Sequence, residues 1–137
     1  MTDPVSLTFG ISSLLQTIAA TSIAVFKFVQ TCRKARGDIL GINDELSMLK
    51  GILEFLKDDT DGSHVGSIPD SLIVQINQMV SHCNHTLDKI TTVLEKHSDS
   101  FGPAKWALDG KKEVSSLQQE LAVSRGALNL TLAAMDM

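Results

Sequence analysis

Histidine and cysteine side chains cluster in the middle of the chain, where they raise the question of a metal site. His82, Cys83 and His85 are close neighbours, and imidazole and thiolate groups are ligands that zinc prefers. On a helix, His82 and His85 share a face, whereas Cys83 points about 100° away from His82. The chain has no CxxC pair and no HExxH sequence. We therefore expect two solvent-facing histidines beside a buried thiol, with no metal ion or other cofactor.

The chain also lacks the sequence motifs of nucleophilic and acid–base catalysis. It contains many serines and threonines, but neither a GxSxG elbow nor a glycine-rich phosphate loop. Its paired carboxylates, Asp58 and Asp59, stand in an acidic, glycine-bearing stretch that predicts an exposed loop. We therefore expect a protein that is not an enzyme.

Basic side chains occur in two short groups, and one of them surrounds the only tryptophan. Lipid headgroups attract basic side chains that lie beside an amphipathic ring, so these residues are candidates for contact with anionic lipids. They are Arg33, Lys34, Arg36, Lys105, Trp106, Lys111 and Lys112. Taken alone, the same residues favour a simpler interpretation, in which the charges are solvated and Trp106 closes one end of a helical bundle.

The beginning of the chain is uncharged over a length that would span a bilayer. No charged residue occurs from Pro4 to Phe26, although 20% of the chain is charged. As a helix, this stretch would cross a hydrocarbon core of about 30 Å. Its many Ser, Thr and Gln side chains argue against a permanent span. We therefore expect a buried helix of a soluble bundle at rest, and insertion into a membrane is a separate hypothesis. The candidate insertion residues are Leu7, Phe9, Gly10, Ile11, Leu14, Leu15, Ile18, Ile23 and Phe26.

The same helix carries two stripes with different side chains. Large apolar residues at spacings typical of a packed helix form the first stripe, which consists of Leu7, Ile11, Leu14, Ile18, Val25 and Val29. Small side chains let helix backbones approach closely, in a soluble bundle or in a membrane. They form the second stripe, which consists of Gly10, Ser13, Thr17, Ala20 and Ala24.

Hydrophobic periodicity predicts four amphipathic helices, over about residues 4–32, 38–58, 68–97 and 109–135, and no strand pattern occurs. Four such segments joined by short connections indicate an all-α, antiparallel up-and-down four-helix bundle. The chain of 137 residues is long enough to bury a core as a single domain over 1–137.

The details of these helices give further expectations. The basic residues before Gly37 suit a helix C-terminus, so we expect the first helix to end there and Gly37 to break the chain. Glu45 on the second helix is expected to face water. Leu130 is expected to widen the apolar face of the fourth helix, and Ser67 is expected to cap the third. The third helix has the longest regular seam, which consists of Ile73, Ile76, Val80, Cys83, Leu87, Ile90, Leu94 and His97.

Composition excludes two further classes of protein. The net charge of −4 and the scarcity of aromatic residues argue against nucleic-acid binding. The start of the chain has no basic region before its apolar stretch, so we do not interpret it as a signal peptide. Two cysteines make no disulfide framework, and the default is a reduced pair in the cytoplasm.

Four segments together resemble the HeLo-like domain of filamentous fungi. They are residues 3–7 with the apolar helix that follows, 46–53, 105–114 and 117–132. Such domains stand at the N-terminus of fungal NOD-like receptors or precede an amyloid-forming signalling motif. They are similar to the four-helix executioner domain of mammalian necroptosis.

The resemblance implies a membrane-targeting domain of programmed cell death and heterokaryon incompatibility. On oligomerisation it would expose its N-terminal helix and permeabilise the plasma membrane. The implied partners are anionic lipids, further copies of the chain, and an upstream NOD-like receptor or amyloid-motif protein. The protein would be cytoplasmic at rest and at the plasma membrane when activated. The alternative is a helical adaptor or oligomerisation module without membrane activity.

Overall fold

The computed structural model of the protein describes residues 4–61, 69–97 and 106–135. Within these ranges it contains no strand, which confirms the all-α prediction. The four long helices are α1 (Pro4–Thr31), α2 (Arg36–Asp61), α3 (Asp70–Lys96) and α4 (Lys111–Met135). A 3₁₀ turn, Arg33–Ala35, joins α1 to α2, and a π-helical turn, Trp106–Gly110, leads into α4.

The helices form a bundle in which each one has two close neighbours. α1 packs against α2 and α3, and α4 packs against the same two helices, so α1 and α4 lie on a diagonal. Thr17 of α1 contacts Asn84 of α3, and further along both helices Thr21 contacts Thr91. α1 and α3 are therefore parallel neighbours. Successive helices still alternate in direction, as the up-and-down prediction requires.

One hydrophobic core runs through the bundle, built from seams at spacings of three and four. The seam expected on the third helix is buried along its whole length. It consists of Ile73, Ile76, Val80, Cys83, Leu87, Ile90, Leu94 and His97. On α1 the core also takes Thr21 and Phe28, which the expected seam left out, whereas Val29 is only half-buried.

The first helix ends close to the predicted residue 32, but the chain does not break at Gly37. α1 ends at Thr31, and Cys32 leaves the helical conformation with φ −125° and ψ 80°. Gly37, expected to break the chain, is inside α2. The physical reason is the core: buried Cys32, whose amide still donates to the carbonyl oxygen of Phe28, ends the seam of α1, and buried Ala35 leads into the seam of α2 at Ile39. The chain must therefore turn between Cys32 and Ala35, so that Arg33 lies in the turn and Arg36 begins α2.

Three further expectations about single positions are wrong. Glu45 is only 8% exposed, and Leu130 points to solvent with 73% of its surface exposed. The acidic loop expected from Asp58 starts later, because α2 continues to Asp61. Ser67, the expected cap, lies outside the described residues, and the amides of Leu72 and Ile73 donate to the carbonyl oxygen of Pro69.

Candidate functional site

The outward face of α1 is uncharged from Pro4 to Phe26 and carries large apolar side chains. Phe9, Ile23 and Phe26 are 72%, 56% and 64% exposed. Gln16 and Ala19, which lie between them along the helix, are also exposed. Leaving three large apolar side chains in water is unfavourable by about 25 cal/mol for each Å² of apolar surface. Val123 and Leu130 of α4 are equally exposed, but the face of α1 combines three large apolar side chains with a stretch that has no charged residue from Pro4 to Phe26. This face is therefore a candidate for contact with a partner or with lipid.

The predicted insertion residues divide among three environments. Leu7, Ile11, Leu14 and Ile18 are in the core, and Leu15 is half-buried against it. Gly10 is half-buried beside α3, where an added methyl group would lie 3.5 Å from Asn77 Oδ1 and 3.6 Å from a Val80 methyl carbon. Phe9, Ile23 and Phe26 form the exposed group described above. At rest, the bundle covers about half of this set and leaves the rest in contact with solvent.

One helix of the described residues is long and apolar enough to cross a membrane. It covers Leu7–Thr31 and has a mean hydropathy of 1.6, and 28% of its apolar window is buried in the bundle. The criterion is one of length and composition only. Core helices of soluble proteins and signal sequences satisfy it as well.

Side-chain hydrogen bonds join α1 to α3, in contrast to the apolar side chains that α1 contributes to the core. The Thr17 hydroxyl donates to Asn84 Oδ1 at 2.7 Å, and the amide nitrogen of Asn84 donates to the Ser13 hydroxyl at 3.2 Å. The hydroxyl groups of Thr21 and Thr91 are 3.1 Å apart. Ser13 and Thr17 belong to the small-residue stripe. That stripe therefore faces α3 at these positions.

The predicted lipid-headgroup residues gather at the end of the bundle where α1 meets α2 and α4 begins. Arg33, Arg36, Lys111 and Lys112 are exposed there. Lys105 and the side chain of Lys34 lie outside the part of the chain that the structure describes. The structure thus exposes four of the seven candidates at one end of the bundle, although they come from both halves of the sequence.

Trp106, in contrast, is buried and closes this end of the core. Its indole N–H donates to Asp38 Oδ2 at 3.0 Å, and Asp38 Oδ1 lies 3.3 Å from Lys111 Nζ. Its ring lies 4.8 Å from that of Phe28, centroid to centroid, and stands edge-on to His97. In this state the indole cannot reach a headgroup. The placement agrees with the simpler interpretation of Trp106 as a plug.

Close packing around Trp106 depends on a glycine. A Cβ atom on Gly110 would lie 2.6 Å from Trp106 Cε3 and 2.9 Å from His97 Cδ2. Both ring nitrogens of His97 are buried without a hydrogen-bond partner. The π-helical turn therefore packs against two rings, and there is no room for a larger residue at 110 unless these rings shift.

A charged pair that the sequence did not reveal links α2 to α4. Arg125 Nε donates to Glu45 Oε2 at 2.5 Å and Arg125 Nη2 to Glu45 Oε1 at 3.3 Å. The hydrogen bond with the Glu45 carboxylate raises the pKa of the Arg125 guanidinium above its ordinary value. Gly41, one turn before Glu45, and Gln118, two turns before Arg125, are in such close contact that a Cβ on Gly41 would overlap the Gln118 amide. This pairing fixes the register of two parallel helices.

The histidines and the cysteine that suggested a metal site are placed as the spacing predicts. His82 and His85 are exposed, and His82 Nε2 lies 3.3 Å from Glu120 Oε1 of α4. Cys83 is in the core, where burial raises the pKa of its thiol to about 11 in spite of a hydrogen bond with Ser124 that lowers it. Among the residues that the structure describes, no group of three or more His, Cys, Asp or Glu side chains could hold a metal ion.

Comparison with known proteins gives one result that bears on identity. Residues 2–137 match the model of a family described as pigment biosynthesis cluster protein PigL, N-terminal. The chain belongs to this family. The match indicates a fungal helical domain. No curated protein and no solved structure matches the chain.

A seven-residue repeat in α1 and α3 indicates the contacts between these two helices, which the sequence analysis did not predict. Gly10, Thr17 and Ala24 recur every seven residues on α1, and Asn77, Asn84 and Thr91 recur every seven residues on α3. Small side chains on one helix thus align with short polar side chains on its parallel neighbour. A heptad of polar, uncharged residues beside an apolar seam is the pattern that would have predicted the α1–α3 interface.

Proposed function

We propose that this bundle is a membrane-targeting cell-death execution domain of the HeLo-like type. In this proposal, α1 leaves the bundle after activation and permeabilises the plasma membrane. The observation that carries the proposal is the outward face of α1, where an uncharged helix exposes Phe9, Ile23 and Phe26 while its inner face completes the core. The resemblance of the sequence to HeLo-like domains supports the same conclusion.

The length of α1 and the positions of the cations that follow it suit insertion in which the end at Lys27 stays at the membrane surface. Residues 4–26 form a helix of roughly 35 Å, which is enough for a hydrocarbon core of about 30 Å. Lys27, Arg33 and Arg36 follow and are exposed at rest. After insertion these cations would remain at the surface from which α1 entered, where anionic headgroups attract each of them by about 1 kcal/mol.

Activation in this proposal is a shift between two states of the bundle. An upstream NOD-like receptor or amyloid-motif partner would bring several copies of the chain together. These copies would then make contacts with one another that are possible only when α1 is released. The protein would be cytoplasmic before this step and at the plasma membrane after it. The family is described as an N-terminal segment of a pigment-cluster protein, which supports a role as the N-terminal output domain of a larger protein.

A pair of matched variants tests this function. Gln16 is exposed at the middle of the uncharged stretch of α1, and Gln119 is exposed on α4. Gln16→Glu adds a charge that costs the bundle little but raises the free energy of inserting a helix centre by about 3 kcal/mol. We expect Gln16→Glu to abolish dye leakage from vesicles of phosphatidylserine and phosphatidylcholine while melting like the parent protein. Gln119→Glu, with the same change in net charge, should retain leakage.

A second candidate function is a helical adaptor that binds another helix and does not enter lipid. It is favoured by an open groove between α2 and α4, to which Met48, Ile52, Phe55 and Leu132 contribute apolar side chains. Phe55 is more than half exposed there, and nothing approaches Gly51 on its outer side. Grooves of this kind receive an amphipathic helix. Undiminished leakage by the folded Gln16→Glu protein, or no leakage by the parent protein, would favour this adaptor function.

A further inference from the structure

We infer that Asn84 of α3 is an autoinhibitory latch that holds the middle of α1 in the bundle. The latch itself is a property of the soluble protein, and only its effect on membranes rests on the proposed function. Asn84 uses both ends of its amide toward α1: Oδ1 accepts from the Thr17 hydroxyl at 2.7 Å, and Nδ2 donates to the Ser13 hydroxyl at 3.2 Å. Both partners lie within the uncharged stretch of α1.

The apolar side chains of α1 distinguish poorly between the bundle and a bilayer. Leu14 and Ile18 are buried in the core at rest, and lipid tails are about as apolar as a leucine side chain. Their transfer from the core to lipid therefore changes their free energy little. Contacts that exist in only one of two states decide the balance between them. For α1, the hydrogen bonds to α3 are contacts of this kind.

When α1 leaves the bundle, Thr17 on α1 and Asn84 on α3 differ in whether they can replace the hydrogen bond that they lose. The Thr17 hydroxyl also lies 3.1 Å from the backbone oxygen of Ser13 on its own helix. Thr17 can therefore satisfy its donor within α1, in water or in lipid. Asn84 loses both partners at once, and its side chain stays on α3. The preference for the closed state thus resides in a residue outside the segment that moves.

Asn84→Ala tests the latch without changing the sequence of α1. The measurement is amide hydrogen exchange in water, with no lipid present, compared helix by helix. We expect exchange of the amides from Ser13 to Ala24 to become about tenfold faster, as the loss of two hydrogen bonds implies. Exchange in α2 and α4 should not change. The matched control is Asn129→Ala, which makes the same substitution at an exposed position of α4.

Ser13→Ala provides a second variant that keeps the fold. Ser13 is exposed, and alanine has the higher helix propensity. This change removes only the bond from Asn84 Nδ2, so we expect a smaller effect on α1, about threefold. If the Asn84→Ala protein does not fold, the comparison of Ser13→Ala with the parent protein still tests the latch.

The outcomes separate the latch from the proposed function. Faster exchange confined to α1, together with leakage at a lower protein concentration, supports both. Faster exchange confined to α1, with no leakage by either protein, supports the latch and contradicts the membrane function. Leakage that is present but unchanged by the substitution supports the membrane function and overturns the autoinhibitory role of Asn84. If the variants leave α1 exchange unchanged, or accelerate exchange equally in all four helices, Asn84 is an ordinary packing residue and the latch is overturned.

Discussion

α1 and α3 lie side by side and parallel, have 28 and 27 residues, and bury seams of the same spacing, yet their solvent faces differ. The outward side of α3 carries charged residues such as Asp88, Lys89 and Lys96. The outward side of α1 carries none before Lys27 and exposes two phenylalanines. Packing in a bundle requires only the inner seam. The requirements of the bundle therefore do not account for the uncharged outward face of α1, and the proposed function assigns that face to a lipid environment.

The largest expected effect is on stability and concerns the buried leucine seam that α1 and α3 both have. Leu14 of α1 and Leu87 of α3 are both fully buried, so replacing either with Ala should lower the free energy of unfolding by about 2 to 5 kcal/mol. Urea denaturation monitored by circular dichroism measures both changes. A cost below about 1 kcal/mol for Leu14→Ala alone would show that α1 is loosely held at rest, and the two helices would then differ on their inner faces as well.

A smaller loss is expected where α3 ends against the π-helical turn. In Gly110→Ala, the new methyl group would overlap Trp106 and His97, so we expect a cost of about 1 to 3 kcal/mol. The fluorescence of Trp106, the only tryptophan, should shift as its contacts change. Gly126→Ala is the control, because nothing lies within 4 Å of a Cβ there and alanine is the better helix former. Equal melting temperatures for the two variants would show that the rings at 97 and 106 move aside freely.

A smaller effect is expected on vesicle binding when basic residues at the end of α1 or on α3 are removed. Replacing both Arg33 and Arg36 with Gln should weaken binding to anionic vesicles by about 1 kcal/mol per charge that reaches the surface. Replacing both Lys89 and Lys96 of α3 with Gln removes the same net charge and should weaken binding less. Vesicle flotation at a fixed ionic strength measures both. If the two double variants bind equally, only net charge matters, and the end of α1 has no special role.

The smallest effect concerns the two cysteines. Cys32 and Cys83 are buried, and burial raises the pKa of the Cys83 thiol to about 11. Alkylation requires the thiolate, so the native protein should react with iodoacetamide at pH 8 much more slowly than the protein in urea. Mass spectrometry after timed quenching measures the rates. Fast labelling of Cys83 in the native protein would mean that α3 and α4 open frequently.

The sequence was sufficient for the helices and for most residues of their seams because both depend on local spacing. Ile73 to His97 shows this most clearly, since every residue of the expected seam is buried. The turn at Cys32 and the burial of Glu45 were missed because they depend on which helices become neighbours. Glu45 looks like a surface residue until α4 is placed in parallel beside α2 with Arg125 in register. For the same reason, the contact of Asn84 with Ser13 and Thr17 follows from the parallel pairing of α1 and α3, which periodicity within one helix does not specify.

The environment of α1 before and after membrane binding can be measured with one probe. Since both native cysteines are buried, Gln16→Cys adds an exposed thiol that an environment-sensitive fluorophore can label selectively, and Gln119→Cys does the same on α4. On addition of anionic vesicles, we expect the probe at 16 to shift to shorter wavelength and to be quenched by spin labels on lipid tails. The probe at 119 should remain in water. If the probe at 16 also stays in water while the protein is bound to vesicles, α1 does not enter the bilayer and the proposed function is wrong.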